Sequence, residues 1–339
     1  MHVGIAPVRM SFAGGGTDMP EYFNQNGGNV ITTAITKFTY NIIHPRHDES
    51  FQAFSPDFQK HYLPRSFDKI VIEDGTEIAT SIIKHLNYKM GSNVIICSDV
   101  PAGSGLGASS SLAVNLVNTI SKLKGESWSN TKIAETAFHI GRNILHWPIG
   151  KQDEYISAFG GFNFIKFNKH KVSVTPIKLN KSSKEELQCN LLLFFVGDTR
   201  NSSNILTGQI ERIKNKHKDT MESLEYVKEL AQEMHASLKE SDITKFAELL
   251  HKGWLAKKKF AKGVSTSRID MIYDQALKHG ALGGKLTGAG GGGHMILYCG
   301  SQKRKSLIKK MTSLGLKQVP YTFYENGPKI LNLYDFVGK

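Results

Sequence analysis

Cysteine is scarce in this chain. Cys97, Cys189 and Cys299 are odd in number and widely spaced. Neither a disulfide framework nor a cysteine-based metal site is expected, and the three read as reduced thiols of a cytoplasmic protein. Long apolar runs are missing too: none approaches the about 18 residues of a membrane span, so no membrane partner is expected. Met1 to Pro7 lacks a basic region followed by a long apolar one, so no signal peptide is expected either. Acidic residues are in short supply, 30 against 43 Lys and Arg, which leaves a net charge of +13. That balance favours anionic partners, either small phosphorylated ligands or nucleic acid. The basic residues are dispersed, with Lys257 to Lys259 the densest cluster. With no RNP-type aromatic pattern, zinc finger or long basic arm, no nucleic-acid partner is expected.

What the chain does have is glycine, gathered in three stretches that each adjoin a strand-like segment. Its 339 residues are long for one core, so two domains are expected, residues 1–180 and 181–339. His2 to Phe12 alternates and reads as a strand ending in the first glycine turn, Ala13-Gly-Gly-Gly-Thr-Asp18. Gly28 to Ile43, rich in β-branched and aromatic residues, gives one or two more strands. Residues 45–70 read as irregular, Thr76 to Leu86 as a helix and 93–97 as a strand. Apolar spacing over 112–123 and from Asn130 to His146 gives two helices, the second halted by Pro148, with Gly150 to Glu154 as a turn. Phe162 to Phe167 and Val172 to Ile177 form a hairpin, and the polar run Asn180 to Glu186 is the expected domain boundary. A strand from Leu191 to Val196 and three or four amphipathic helices over 204–279 follow. The third glycine stretch, Gly283 to Gly293, leads into a strand at His294 to Tyr298, a helix at Ser301 to Leu314, and short strands near 318–323 and 329–333. Strands and helices interleave without a repeating βα unit, so the fold class is α+β.

The middle stretch, Pro101-Ala-Gly-Ser-Gly-Leu-Gly-Ala-Ser-Ser-Ser111, joins a strand to a helix start. Glycines let backbone N–H groups approach a ligand, and the first helical turn adds unpaired donors and partial positive charge. Together they suit an anion, phosphate above all. A tight turn with no ligand is the alternative. No Gly-Lys-Ser/Thr follows, so this is not a Walker A loop. Gly103, Gly105 and Ala108 fit the dinucleotide spacing, yet no acidic residue ends a second strand about 20 positions on.

The three stretches together resemble the GHMP kinases, the galactokinase, homoserine kinase, mevalonate kinase and phosphomevalonate kinase superfamily. Ala6 to Asp18 is similar to the family's first motif, 101–111 to its phosphate loop, and Lys285-Leu-Thr-Gly-Ala-Gly-Gly-Gly-Gly293 to its third motif. The resemblance implies an ATP-dependent kinase acting on a small-molecule hydroxyl. It also implies a two-domain fold, with an N-terminal ribosomal-protein-like βαβ domain, a C-terminal ferredoxin-like domain and the active site between them. The triphosphate would sit on Pro101, Gly103, Ser104, Gly105, Leu106, Gly107, Ala108, Ser109, Ser110 and Ser111, with Ser109 as the magnesium ligand. Asp153 falls where galactokinase-like members carry the catalytic aspartate and is assigned as general base. Arg9 would stabilise charge developing in transfer. One departure stands out: the family's magnesium-holding glutamate, about a dozen residues before the aspartate, corresponds here to Gly141. Either Ser109, ATP and water hold Mg2+, or its binding is weakened.

The first-motif wording, Gly150-Lys-Gln-Asp153 and Asp198-Thr-Arg-Asn-Ser-Ser203 resemble the branch of sugar kinases that phosphorylate heptose 7-phosphate or L-fucose at the anomeric hydroxyl. The implied substrates are ATP and a small-molecule sugar phosphate. The basic balance favours D-glycero-D-manno-heptose 7-phosphate, giving the 1,7-bisphosphate toward nucleotide-activated heptose for lipopolysaccharide or capsule. L-fucokinase activity and a catalytically silent sugar sensor are the alternatives. Gly15, Gly16, Thr17 and Asp18 suit sugar hydroxyls, Gly290 and Gly291 line the same cavity, and Arg200 and Lys257 are the candidates for the substrate phosphate. Whether the chain forms a homodimer stays open.

Overall fold

The computed structural model describes residues 1–197, 202–333 and 335. The alternating, β-branched opening of the chain forms β1 (His2–Ala13) and, after the short helix α1 (Pro20–Asn26), β2 (Gly28–Pro45). They pair antiparallel over most of their length, and β2 is one strand rather than two. The stretch that reads as irregular holds a hairpin, β3 (Ser50–Ser55) and β4 (Lys60–Ser66). Of its apolar side chains, Phe51, Ala53 and Tyr62 point to the core while Phe54 and Leu63 face solvent, so no clean alternation marks it. Then come α2 (Glu77–His85), β5 (Ser92–Ser98), α3 (Ala108–Leu123) and α4 (Asn130–His139), which runs on into a π-helical turn over Ile140–Ile144. Helix α5 (Gln152–Phe159) and the hairpin β6 (Phe162–Phe167) and β7 (Val172–Pro176) follow.

The polar run expected to mark the domain boundary is helical. It is the start of α6 (Lys181–Asn190), capped where the Asn180 side chain accepts from the Ser183 N–H. Only Ser183, Leu187 and Asn190 of this helix are buried, which is why its sequence looks like a loop. Next are β8 (Leu191–Gly197) and four helices, α7 (Ser202–Lys214), α8 (Lys218–Lys239), α9 (Ile243–Lys257) and α10 (Ser267–Lys278). Strand β9 (Ala281–Leu286) lies inside what the sequence presents as a glycine tract. Helix α9 crosses it so closely that a Cβ on Gly283 would fall 2.0 Å from the Ala247 carbonyl oxygen. The chain closes with β10 (Gly293–Cys299), α11 (Ser301–Ser313), the two-residue β11 (Lys317–Gln318) and β12 (Lys329–Asn332).

The larger sheet runs in the order β12-β1-β2-β5-β3-β4, with β6 also on β2 and β7 on β6; the smaller is β11-β8-β10-β9, antiparallel throughout. One apolar core lies between the larger sheet and α2 to α5, built from residues such as Ile82, Val117, Ile120 and Tyr155. A second lies between the smaller sheet and helices α7, α9 and α10, around Phe194, Trp254 and Met295. A third joins them: Val8, Phe12 and Ile31 of the larger sheet pack with Leu193 and Ile296 of the smaller and with Phe246 of α9. That shared core fixes the two sheets against each other, and the glycine stretches meet at its edge.

Candidate active site

Arg9 sits on β1 and is only 4% exposed. A buried guanidinium needs a partner, and Asp153 supplies it in two-pronged form: Nε donates to Oδ1 at 2.7 Å and Nη2 to Oδ2 at 2.6 Å. Nη1 donates to the Gly105 carbonyl, and the Arg9 backbone N–H to that of Leu106 at 3.0 Å. One residue thus ties β1 to both α5 and the phosphate-type loop. Asp153 lies in the first turn of α5, where the sequence suggests a turn and where the helix dipole favours an acid. That helix start is held from outside. Asp18 Oδ2 accepts from the Gln152 N–H at 3.1 Å, and Oδ1 accepts from the Gly16 N–H at 2.8 Å. Asp18 therefore caps α5 and orients Asp153, while burial pushes its own carboxyl above the ordinary range against the pull of those N–H groups.

The loop from 101 to 107 passes directly over this ion pair. Gly107 has φ +75°, and a Cβ there would lie 2.9 Å from Asp153 Oδ2. The loop is braced by the third glycine stretch: a Cβ on Gly288 would be 2.5 Å from the Gly105 Cα. The Ser104 carbonyl accepts from the His294 backbone N–H at 3.1 Å and from its Nδ1 at 2.8 Å. Helix α3 starts at Ala108, so its first-turn N–H groups face the same space. A cavity with about 1100 Å³ of empty space, its mouth included, opens here.

Most of the expected residues line that cavity: Arg9, Gly15, Gly16, Asp18, Gly103, Ser104, Gly105, Gly107, Ala108, Ser109, Ser110, Asp153, Lys257 and Gly290. Others do not. Thr17 is buried with Oγ1 donating to the Gly14 carbonyl at 2.7 Å, a turn-holding bond. Leu106 is a core side chain, and Ser111 is buried against Thr39 and the Ala6 carbonyl. Pro101 is exposed at the head of the loop and outside the lining. Gly291 faces a separate hollow beside Val196 and Gly197. Arg200 lies outside the described residues.

Four lining residues were not singled out by the sequence: Ser11, Gln152, Gln209 and Lys285. Ser11 Oγ, Gln152 Oε1 and Gln209 Nε2 are buried with no partner, as is Ser104 Oγ. Lys285 opens the third motif, which was the available clue; Gln209 sits in an ordinary amphipathic helix. Behind the pair, Glu154 is 1% exposed with Oε2 unpartnered. Burial first, then the neighbouring Asp153, pushes its carboxyl up to about 8, with the Ser110 hydroxyl pulling the other way.

The glycine cradle, the orphaned Ser104 hydroxyl and the start of α3 suit a triphosphate. For magnesium the protein supplies less. Gly141 lies in the π-helical turn, and a Cβ there would fall 2.8 Å from Ile149 Cδ1 and 3.3 Å from the Trp147 ring, so a side chain at this position would have to displace both. Among the described residues no group of three His, Cys, Asp or Glu side chains could hold a metal ion. Magnesium can keep several waters and ride on substrate phosphates, which leaves one hydroxyl to be provided. Ser109, exposed at the cavity wall, fits that demand.

Comparison with known proteins places this arrangement. Residues 76–161 match the family described as GHMP kinases N terminal domain, and residues 234–315 match GHMP kinases C terminal. The D-glycero-alpha-D-manno-heptose 7-phosphate kinase of Campylobacter jejuni is 31% identical over 332 residues, 95% of this chain and 96% of that protein. The L-fucokinase/L-fucose-1-P guanylyltransferase of Bacteroides fragilis is 25% identical over 91% of this chain, which spans 35% of that longer protein. A crystal structure of a D-glycero-D-manno-heptose 1-phosphate kinase from Bacteroides thetaiotaomicron superposes with a TM-score of 0.82 over 98% of this chain and 99% of the other, at 24% identity. The chain belongs to the GHMP kinases and has their two-domain fold. It is an ATP-dependent small-molecule kinase.

Proposed function

We propose that this kinase phosphorylates D-glycero-D-manno-heptose 7-phosphate at its anomeric hydroxyl, giving the 1,7-bisphosphate on the way to nucleotide-activated heptose for lipopolysaccharide or capsule. The observation that carries the reading is the Arg9–Asp153 pair, held beneath the glycine loop and open to the cavity that the glycine stretches line. Asp153 accepts the proton of the sugar hydroxyl as the oxygen bonds to the terminal phosphorus of ATP and the bond to ADP breaks. Arg9 holds the carboxylate in line and, with the loop N–H groups, stabilises the charge passing to the leaving oxygens. Magnesium, when bound, neutralises phosphate charge, with Ser109 as the side chain placed to hold it. The choice of a heptose phosphate is supported by the likeness to the Campylobacter jejuni enzyme along nearly its whole length.

The test is a panel of free and phosphorylated hexoses and heptoses with ATP and magnesium. The heptose 7-phosphate is expected to give the highest kcat/KM; L-fucose or galactose outperforming it would overturn the substrate assignment. Loss of the base should cost about 10²- to 10⁴-fold in turnover. Asp153→Asn is therefore expected to lose turnover on that scale while still binding ATP, and a near-normal rate would remove Asp153 as base.

A further inference from the structure

Two lysines in the cavity wall have no carboxylate within ion-pair distance among the described residues. Lys257, at the end of α9, and Lys285, on β9, are 8% and 5% exposed and both line the cavity. Among the described residues neither forms an ion pair. Their ammonium groups donate to backbone carbonyls instead, Lys285 to Phe12 at 3.2 Å and Lys257 to Gly288 and, at 3.4 Å, Leu286. The cavity's two carboxylates are engaged elsewhere, Asp153 by Arg9 and Asp18 by backbone N–H groups. Among the described residues, three basic side chains thus line the cavity with two acidic ones, of which Asp18 is itself shifted toward its neutral form.

A buried ammonium without a counter-charge is costly in the free protein, so two lysines buried in one cavity are pushed toward the neutral amine until an anion arrives. Burial first, then the mutual repulsion with Arg9, lowers Lys285 to about 7; Lys257 is lowered by burial and then by Lys285. Such an arrangement is neutralised by one ligand, a dianion. Two buried polar atoms without a partner among the described residues, Gln209 Nε2 and Ser11 Oγ, belong to residues that line the same cavity.

We propose that Lys257 and Lys285 form a second phosphate subsite, separate from the glycine loop, that takes a phosphate dianion. Its occupant is either the phosphate already carried by the acceptor or the terminal phosphate of ATP. The proposal rests on the sugar-phosphate reading only in the first case.

The experiment uses the full chain and its Lys257→Met and Lys285→Met variants. Inorganic phosphate is expected to raise the melting temperature of the wild type beyond chloride at equal ionic strength, and to do so less in each variant. Removing an uncompensated buried charge should also raise the melting temperature of the ligand-free variants. Loss of a charge-assisted contact predicts about a tenfold or greater fall in affinity for the occupant. A rise confined to KM for the sugar phosphate, with the free sugar less affected, assigns the subsite to the acceptor's phosphate. A rise confined to the Kd for ATP assigns it to the nucleotide. Variants that match the wild type in phosphate response, KM and ATP Kd overturn the subsite. If no sugar phosphate turns over in the panel, the heptose reading fails, while the inorganic phosphate response still tests the lysines.

Discussion

Glu154 offers a sharp test of the electrostatics behind the Arg9–Asp153 pair. Its carboxyl is buried beside Asp153, and folding moves it from the ordinary 4.5 up to about 8. Between those values the folded protein keeps the proton and the unfolded chain releases it, so stability falls as pH rises through the window and the contribution is gone above it. Each pH unit there is about 1.4 kcal/mol, so the whole window is on the order of 4 to 5 kcal/mol. Glu154→Gln preserves the shape of the neutral acid and cannot ionise. Urea unfolding midpoints measured from pH 5 to 8.5 should therefore separate the two proteins progressively, the wild type declining relative to the variant. Other groups that titrate differently on folding, such as Asp18 and Lys285, are common to both and cancel in the difference. Parallel curves would refute the claim that Glu154 is folded as its neutral acid.

Two further substitutions probe the loop and the departure from the family pattern. Gly107→Ala would place a Cβ 2.9 Å from Asp153 Oδ2 at a left-handed φ of +75°. The backbone cost alone is about 1 to 2 kcal/mol, and displacement of the ion pair should lower kcat at least about tenfold; steady-state kinetics with unchanged kcat would contradict the placement of the loop over the pair. Gly141→Glu introduces the carboxylate that the family resemblance leads one to expect at this position, yet Ile149 and Trp147 occupy the space. The variant is expected to melt lower and to need no less magnesium for half-maximal activity; a left-shifted magnesium curve with unchanged stability would show that the segment 147–149 can yield.

How much of this was legible follows from what each element leaves in the sequence. Strands β1, β2, β6 and β8 show because their apolar faces are nearly continuous, and α2 and α3 because theirs recur at helical spacing. The β3–β4 hairpin and α6 stay hidden because each buries only a few side chains. Strand β9 stays hidden for the opposite reason: its glycines exist to let α9 press against it, and glycine reads as loop. In the site, motif resemblance alone brings Arg9 and Asp153 together, and the structure pairs them; local sequence says only strand and turn. Thr17 and Asp18 were read for their oxygens, and the structure shows both turned to backbone work, one closing the glycine turn and the other capping α5. Gln209 and Glu154 leave no trace, since what makes them notable is an absent partner across a fold of long-range contacts.

The two layers contribute charge of different kinds, and this bears on how the enzyme holds itself together without ligand. The larger sheet and its helices supply a pair already neutral, Arg9 with Asp153. The smaller sheet's side supplies Lys257 and Lys285, cations with no such partner among the described residues. A neutral pair can orient a hydroxyl and accept its proton without attracting anions strongly, whereas unpaired buried cations attract phosphate at the expense of the free fold. Ligand binding then stabilises the protein by more than contact alone, because it removes that internal cost, and stability should rise with ligand concentration as RT ln(1 + [L]/Kd). The overall charge of +13 does not decide this, since most of it is dispersed over the surface and screened. Two lysines at the seam between the sheets decide it, and they do so only while the shared core keeps both sheets in register.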